Sequence, residues 1–126
     1  MPSPAARAFT ALVADDDLEM LEALEGVLVA QGCRVVTAVN GRDALEKALQ
    51  VRPDLVITDL LMPVVDGIGL AKALRADPST ASARIVLCSG VAEGSVRRLF
   101  SSYDAFLHKP YELAELHRVL RAVRVR

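Results

Sequence analysis

Pro53-Asp54-Leu55-Val56-Ile57-Thr58-Asp59-Leu60-Leu61-Met62-Pro63, with Asp66-Gly67 close behind, is the stretch whose reading decides the fold. Pro53 closes a preceding helix. Asp54 to Thr58 then reads as a strand with an unbroken Leu-Val-Ile centre. A continuous apolar strand, with no polar alternation, suits a sheet covered on both faces. Met62, Pro63, Asp66 and Gly67 after it are turn or breaker chemistry.

Outward from this strand the same unit repeats in both directions. Phe9 to Ala14 is an apolar run that stops abruptly at Asp15, Asp16 and Asp17. Leu18, Leu21, Leu24 and Leu28 recur at helical spacing until Gly32. Arg34 to Ala38 is a second strand, rich in β-branched residues. Asn40-Gly41 opens a helix with Ala44, Leu45, Ala48 and Leu49 on its apolar side. Beyond the central strand, Ile68 to Ala76 is a third helix, Arg84 to Cys88 a fourth strand and Glu93 to Ser101 a weaker helix. Ala105 to His108 is the fifth strand, and Leu113, Leu116, Leu120 and Val123 mark the last helix. Helices between successive strands imply parallel pairing, and right-handed crossovers give a doubly wound α/β sandwich.

The whole chain fits that reading. Its 126 residues suit one domain, and 52% hydrophobic residues support a packed core. A formal charge of -1 argues against a protein that binds nucleic acid through bulk electrostatics, so no direct nucleic-acid contact is expected. No apolar run approaches the roughly 18 residues of a membrane span. Cys33 and Cys88, each flanked by apolar residues, read as buried reduced thiols, and a cytoplasmic address follows as the expectation. Residues 1–8, with Pro2, Ser3 and Pro4, read as a flexible leader to a domain spanning 9–126.

In open parallel sheets, ligands sit beyond the carboxyl ends of the strands. Here those ends deliver Asp15 and Asp16, Asp59, Ser89 followed by Gly90, and Lys109-Pro110. Three neighbouring carboxylates repel unless a cation joins them. A hard divalent ion such as Mg²⁺ is suited to oxygen ligands and leaves positions for a phosphoryl oxygen. Phosphoryl transfer needs positioning and charge neutralisation above all. A nucleophilic carboxylate ringed by a metal, a lysine and a hydroxyl meets that need, and Asp59 on the central strand is the natural nucleophile.

Each residue has a plainer structural explanation. Asp17, or Asp16 with Glu19, suits a helix N-cap. Asp59 and Ser89-Gly90 suit ordinary strand exits, and Lys109-Pro110 suits a solvated lysine before an N1 proline. Their convergence on one sheet edge is what favours chemistry.

At these residues the chain resembles the receiver domains of two-component response regulators over nearly its whole length. The matching segments are Leu12 to Asp17, Pro53 to Pro63 with Asp66-Gly67, Ile85 to Gly90, and Phe106 to Pro110. The resemblance implies a flavodoxin-like (βα)5 three-layer sandwich with sheet order 2-1-3-4-5. It implies that Asp59 takes a phosphoryl group from phosphohistidine on a sensor histidine kinase or histidine phosphotransfer protein. Asp15, Asp16, Asp59 and the Leu61 backbone carbonyl would hold Mg²⁺, and Lys109 would pair with Asp59 and then with the phosphoryl group. Ser89 and the Phe106 ring would switch together, moving the surface of the fourth helix, fifth strand and fifth helix that a downstream protein reads. Arg97, Arg98, Tyr103 and His108 are candidate contacts there. Such a domain is no enzyme beyond assisting its own phosphorylation and dephosphorylation.

Three features depart from the family pattern. Ser102-Tyr103 replaces a small Gly-Ala pair, which predicts a less cleanly ended fourth helix. Gly90 stands where alanine is usual. Leu61 and Val91, which border the path of the water that attacks phosphoaspartate, are both apolar and predict slow self-dephosphorylation. Two other readings compete. Asp15-x-Asp17 superficially suits a haloacid-dehalogenase-type aspartyl phosphatase, which would leave the Asp59 segment unexplained. A phosphorylation-independent pseudo-receiver would be expected to lack at least one member of the acidic, hydroxyl and lysine set.

Overall fold

Five apolar runs and the helices between them assemble, in a computed structural model that describes residues 8–123, into one parallel sheet. The elements are β1 (Thr10–Ala14), α1 (Leu18–Ala30), β2 (Arg34–Ala38), α2 (Gly41–Val51) and β3 (Leu55–Asp59). They continue as α3 (Gly67–Ala76), β4 (Arg84–Ser89), α4 (Glu93–Leu99), β5 (Ala105–His108) and α5 (Leu113–Val123). The strand order is β2-β1-β3-β4-β5, all parallel, as the family resemblance implied. The expected leader falls almost wholly on residues 1–7, outside the described residues.

Alternation along each central strand divides the core in two. Ala11, Val13, Leu55, Ile57, Val86 and Cys88 point toward Leu21, Leu24, Leu28, Leu116 and Leu120 of α1 and α5. Leu12, Ala14, Val56, Ile85 and Leu87 point toward Ala44, Ala48, Leu70, Leu74 and Val96 of α2, α3 and α4. Each fully buried leucine or isoleucine is worth about 1.5–3 kcal/mol, so both faces of the central strands contribute to the core. Both cysteines are buried and free.

Element boundaries moved by one or two residues. β3 includes Asp59 and β4 includes Ser89, because both residues still pair with their neighbours in the sheet. α4 stops at Leu99 rather than Ser101, since Phe100 is already extended (φ -161°). Leu18, Leu49 and Leu113 match the helical spacing but lie at helix ends or rims, where they remain largely exposed. Pro110 is not the N1 residue of the last helix, which begins at Leu113; the Lys109–Pro110 peptide is cis.

Two glycines fix how close the α2 and α3 segments come. A Cβ on Gly41 would run into the Val65 backbone carbonyl, and one on Gly67 into the carbonyl of Asp59 and within 2.9 Å of the Leu60 Cα. Gly67 also donates its N–H to the Leu60 carbonyl at 2.8 Å, holding the loop after β3 against the end of that strand. Among the described residues, no helix is long and apolar enough to cross a membrane.

Candidate functional site

Each polar residue of the site is placed by the end of a strand. Asp15 follows β1 and is buried, 2% exposed, with its Oδ1 accepting from the Asp17 N–H at 2.9 Å. Asp16 beside it is exposed. Asp59 closes β3, and one oxygen from each of Asp15, Asp16 and Asp59 lies within 4.8 Å of the others. Lys109, just past β5, brings Nζ to 3.4 Å from Asp15 Oδ2 and 3.3 Å from Asp59 Oδ1. Ser89 ends β4, buried, its Oγ accepting from the Val91 N–H at 3.0 Å. Backbone bonds lock these ends together: Leu60 N–H to the Cys88 carbonyl at 2.9 Å, and Lys109 N–H to the Ser89 carbonyl at 2.8 Å.

Asp17 turns away from this group. It is the N-cap of α1, accepting from the Glu19 N–H at 3.0 Å, as the plainer reading expected. An Asp15-x-Asp17 catalytic pair is therefore not assembled.

The electrostatics follow from burial and from like charges. Burial, reinforced by the charge of Asp59, pushes the Asp15 carboxyl above its usual range, although the Asp17 N–H and Lys109 pull the other way. Burial opposes the charge on Lys109, but Asp15 and Asp59 outweigh it and raise its pKa. Burial pushes the Cys88 thiol up to about 12, so it stays protonated beside the site. One lysine thus faces three carboxylates, and the arrangement retains a net demand for positive charge.

The remaining residues singled out from sequence are arranged around this edge or behind it. Leu61 and Val91 are 68% and 40% exposed, so their side chains border solvent. Phe106 is half-buried against the α3–α4 side of the core. Its ring lies 6.2 Å from that of Tyr103. Of the candidate partner contacts, Arg97 is exposed and Tyr103 half-buried, and both bond to Glu93 of α4. Arg98 and His108 are exposed. The contact of Gly67 with Asp59 escaped sequence reading, since an Asp-Gly pair signals a turn without saying what packs on the glycine.

Residues 11–121 match the family model described as response regulator receiver domain. The chain belongs to this family. As a receiver domain it is a phospho-acceptor of two-component signalling, and neither the phosphatase nor the pseudo-receiver reading is favoured. It is 39% identical over 105 residues to the transcriptional regulatory protein PrrA of Mycobacterium tuberculosis, covering 83% of this chain and 45% of that protein. It is 33% identical over 111 residues to the DNA-binding response regulator MtrA of Mycolicibacterium paratuberculosis, covering 88% and 49%. The receiver domain therefore spans under half the length of these relatives. Among solved structures, the chemotaxis response regulator CheY4 of Vibrio cholerae superposes with a TM-score of 0.85 at 28% identity, covering 94% of this chain and 100% of that one. The receiver domain of sensor histidine kinase PA1611 from Pseudomonas aeruginosa, with a magnesium ion in its active-site cleft, gives 0.81 at 26% identity, covering 93% and 98%. Because a relative is itself named DNA-binding, the expectation of no direct nucleic acid does not stand for proteins that carry this domain.

Proposed function

We propose that Asp59 is the phosphoryl acceptor of this receiver domain and that Asp15, Asp16, Asp59 and the Leu61 backbone carbonyl hold Mg²⁺ beside it. The observation that carries the reading is the meeting of three carboxylates within 4.8 Å with Lys109 bridging two of them. The donor set fits the ion: all the side-chain ligands are hard carboxylate oxygens, and the buried Asp15 has a raised pKa that a cation would relieve. When bound, Mg²⁺ would neutralise charge on the phosphoryl oxygens.

The chain's own residues do the rest. Lys109 holds the Asp59 carboxylate by its Oδ1. An Asp59 oxygen attacks the phosphorus of a phosphohistidine on a kinase or phosphotransfer partner; the P–O bond forms as the P–N bond breaks, and the imidazole leaves. Lys109 then pairs with a phosphoryl oxygen, and the Ser89 hydroxyl donates to another. The Ser89 oxygen still accepts from the Val91 N–H while its O–H donates, so a shift of Ser89 toward the phosphoryl group draws the loop with it. The β4–α4 loop is redrawn, the Phe106 ring follows, and the surface of α4, β5 and α5 changes for a downstream protein. Catalysis is limited to the domain's own phosphorylation and dephosphorylation.

Incubation with a small phosphodonor and Mg²⁺ is expected to add one phosphoryl group to the native chain and none to Asp59→Asn. Equal incorporation by Asp59→Asn would refute the assignment.

A further inference from the structure

Tyr103 stands where the family pattern has a small residue, and the structure gives it three roles at once. Its hydroxyl donates to Glu93 Oε2 at 2.7 Å, and Arg97 Nη2 donates to the same oxygen at 2.6 Å. Arg97 Nε in turn donates to the Tyr103 oxygen at 3.3 Å. The ring lies between two others, 6.4 Å from Phe100 and 6.2 Å from Phe106.

α4 has little else to hold it. It has 7 residues, including Gly94 and Ser95, and its cap, Ala92, offers no side-chain acceptor. Val96 is its one buried residue. A helix so short and so weakly capped depends on tertiary ties for its position. The Glu93–Arg97 pair alone is an exposed i,i+4 contact of small effect. What distinguishes the cluster is that Tyr103 reaches from the β5 side of the connection back to the first turn of α4. The Tyr103 hydroxyl, ahead of Arg97, holds the Glu93 carboxyl below its usual range, as an ionised acceptor requires.

The cluster also lies on the path from the site. Ser89 Oγ holds the Val91 N–H, and Ala92 and Glu93 follow directly. A change at Ser89 therefore pulls on the first turn of α4, while Tyr103 ties that turn to the ring of Phe106. We propose that Tyr103 is a positioning residue of the switch: with Glu93 and Arg97 it latches α4 and the Phe106 ring in the arrangement seen here and opposes the phosphorylated one. The latch rests on the reading of Asp59 as the phosphoryl site.

A ligand that favours one of two conformations binds more tightly when ties holding the other are removed. The test is a titration with beryllofluoride in saturating Mg²⁺, read at the Gly90 and Phe106 amides by NMR, for the native chain, Tyr103→Phe, Glu93→Ala and the double variant. Tyr103→Phe keeps the ring and removes the hydroxyl. Its half-saturating concentration is expected to fall about threefold to tenfold. Glu93→Ala is expected to fall likewise, and the double variant no further than Tyr103→Phe, because both remove one tie. A merely structural contact would lower the melting temperature and leave half-saturation unchanged. Unchanged or weaker binding in either single variant, or additive effects in the double, overturns the latch while leaving the Asp59 reading intact. No binding by the native chain overturns the reading of the site and the latch with it. Where Tyr103→Phe folds poorly, Glu93→Ala alone decides the sign.

Discussion

Asp15 has 2% of its surface exposed, shares Lys109 with Asp59 and sits among like charges. Its pKa is raised, chiefly by burial, so the folded chain holds this proton to higher pH than the unfolded chain does. Ionising it as pH rises through the folded value therefore lowers stability. Asp15→Asn is accordingly expected to stabilise the Mg²⁺-free chain at neutral pH. In the native chain, Mg²⁺ at about 100 times its Kd is expected to add about 2.7 kcal/mol. That gain should fade as pH falls through the raised Asp15 pKa, above the usual carboxylate range, because the proton displaces the ion. Melting curves across pH, with and without Mg²⁺, check both. A Mg²⁺ gain that persists at low pH, or in Asp15→Asn, would contradict the ligand set. Lys109 has the opposite consequence: its raised pKa makes its ion pairs fully present at neutral pH and lost only above the ordinary lysine range.

Leu61 and Val91 are also matters of single residues. Both are exposed at loops that follow the ends of β3 and β4, where they offer a water no hydrogen bond. Leu61→Asn and Val91→Glu are each expected to shorten the phosphoryl lifetime by a few-fold to about tenfold, less than the roughly 10²–10⁴-fold of a full general acid or base because these groups would only orient the water. The decay of phosphorylated protein after removal of the donor measures this, and unchanged lifetimes would remove these residues from the account.

At the scale of elements, the sheet's other end is tied chiefly through Arg75. Arg75, near the end of α3, donates to the Ser102 carbonyl at 2.9 Å, the Ala81 carbonyl at 2.9 Å and Asp104 Oδ2 at 2.9 Å. It also donates to the Ala83 carbonyl. Asp104 accepts from the Ile85 N–H at 2.7 Å, so α3, β4 and the α4–β5 connection meet at one pair. Arg75→Met is expected to destabilise the fold by about 2–3 kcal/mol, the scale of losing a charged hydrogen bond and stranding its partners. Because this end lies opposite the carboxyl end of β3 that carries Asp59, the variant at temperatures where it is folded should still take its phosphoryl group on Asp59. Denaturant unfolding and a phosphorylation time course separate the two effects.

For the whole molecule, what sequence reading reached and what it missed divide by whether strand ends or side-chain packing decide the placement. Strands β1, β3 and β4 were legible because they are continuous apolar runs, and Asp15, Asp59, Ser89 and Lys109 because each closes or directly follows a strand, Lys109 following β5. Parallel order then places those ends on one edge without any side-chain geometry. The ties that depend on side-chain packing were not legible. Arg75 with Asp104, and Gly67 with Asp59 across the loop after β3, are packing facts without a sequence signature. Tyr103 with Glu93 looked like exposed helix and loop. Leu18, Leu49 and Leu113 show the converse, since helical spacing alone cannot tell a buried turn from a helix rim.

The central claim is that the strand ends make Asp59 the acceptor. Peptide mapping by mass spectrometry, after treatment with a small phosphodonor and Mg²⁺, tests it most directly. The account predicts the phosphoryl group on Asp59 alone. A phosphoryl group on Asp15, or on any other residue with Asp59 unmodified, would contradict it.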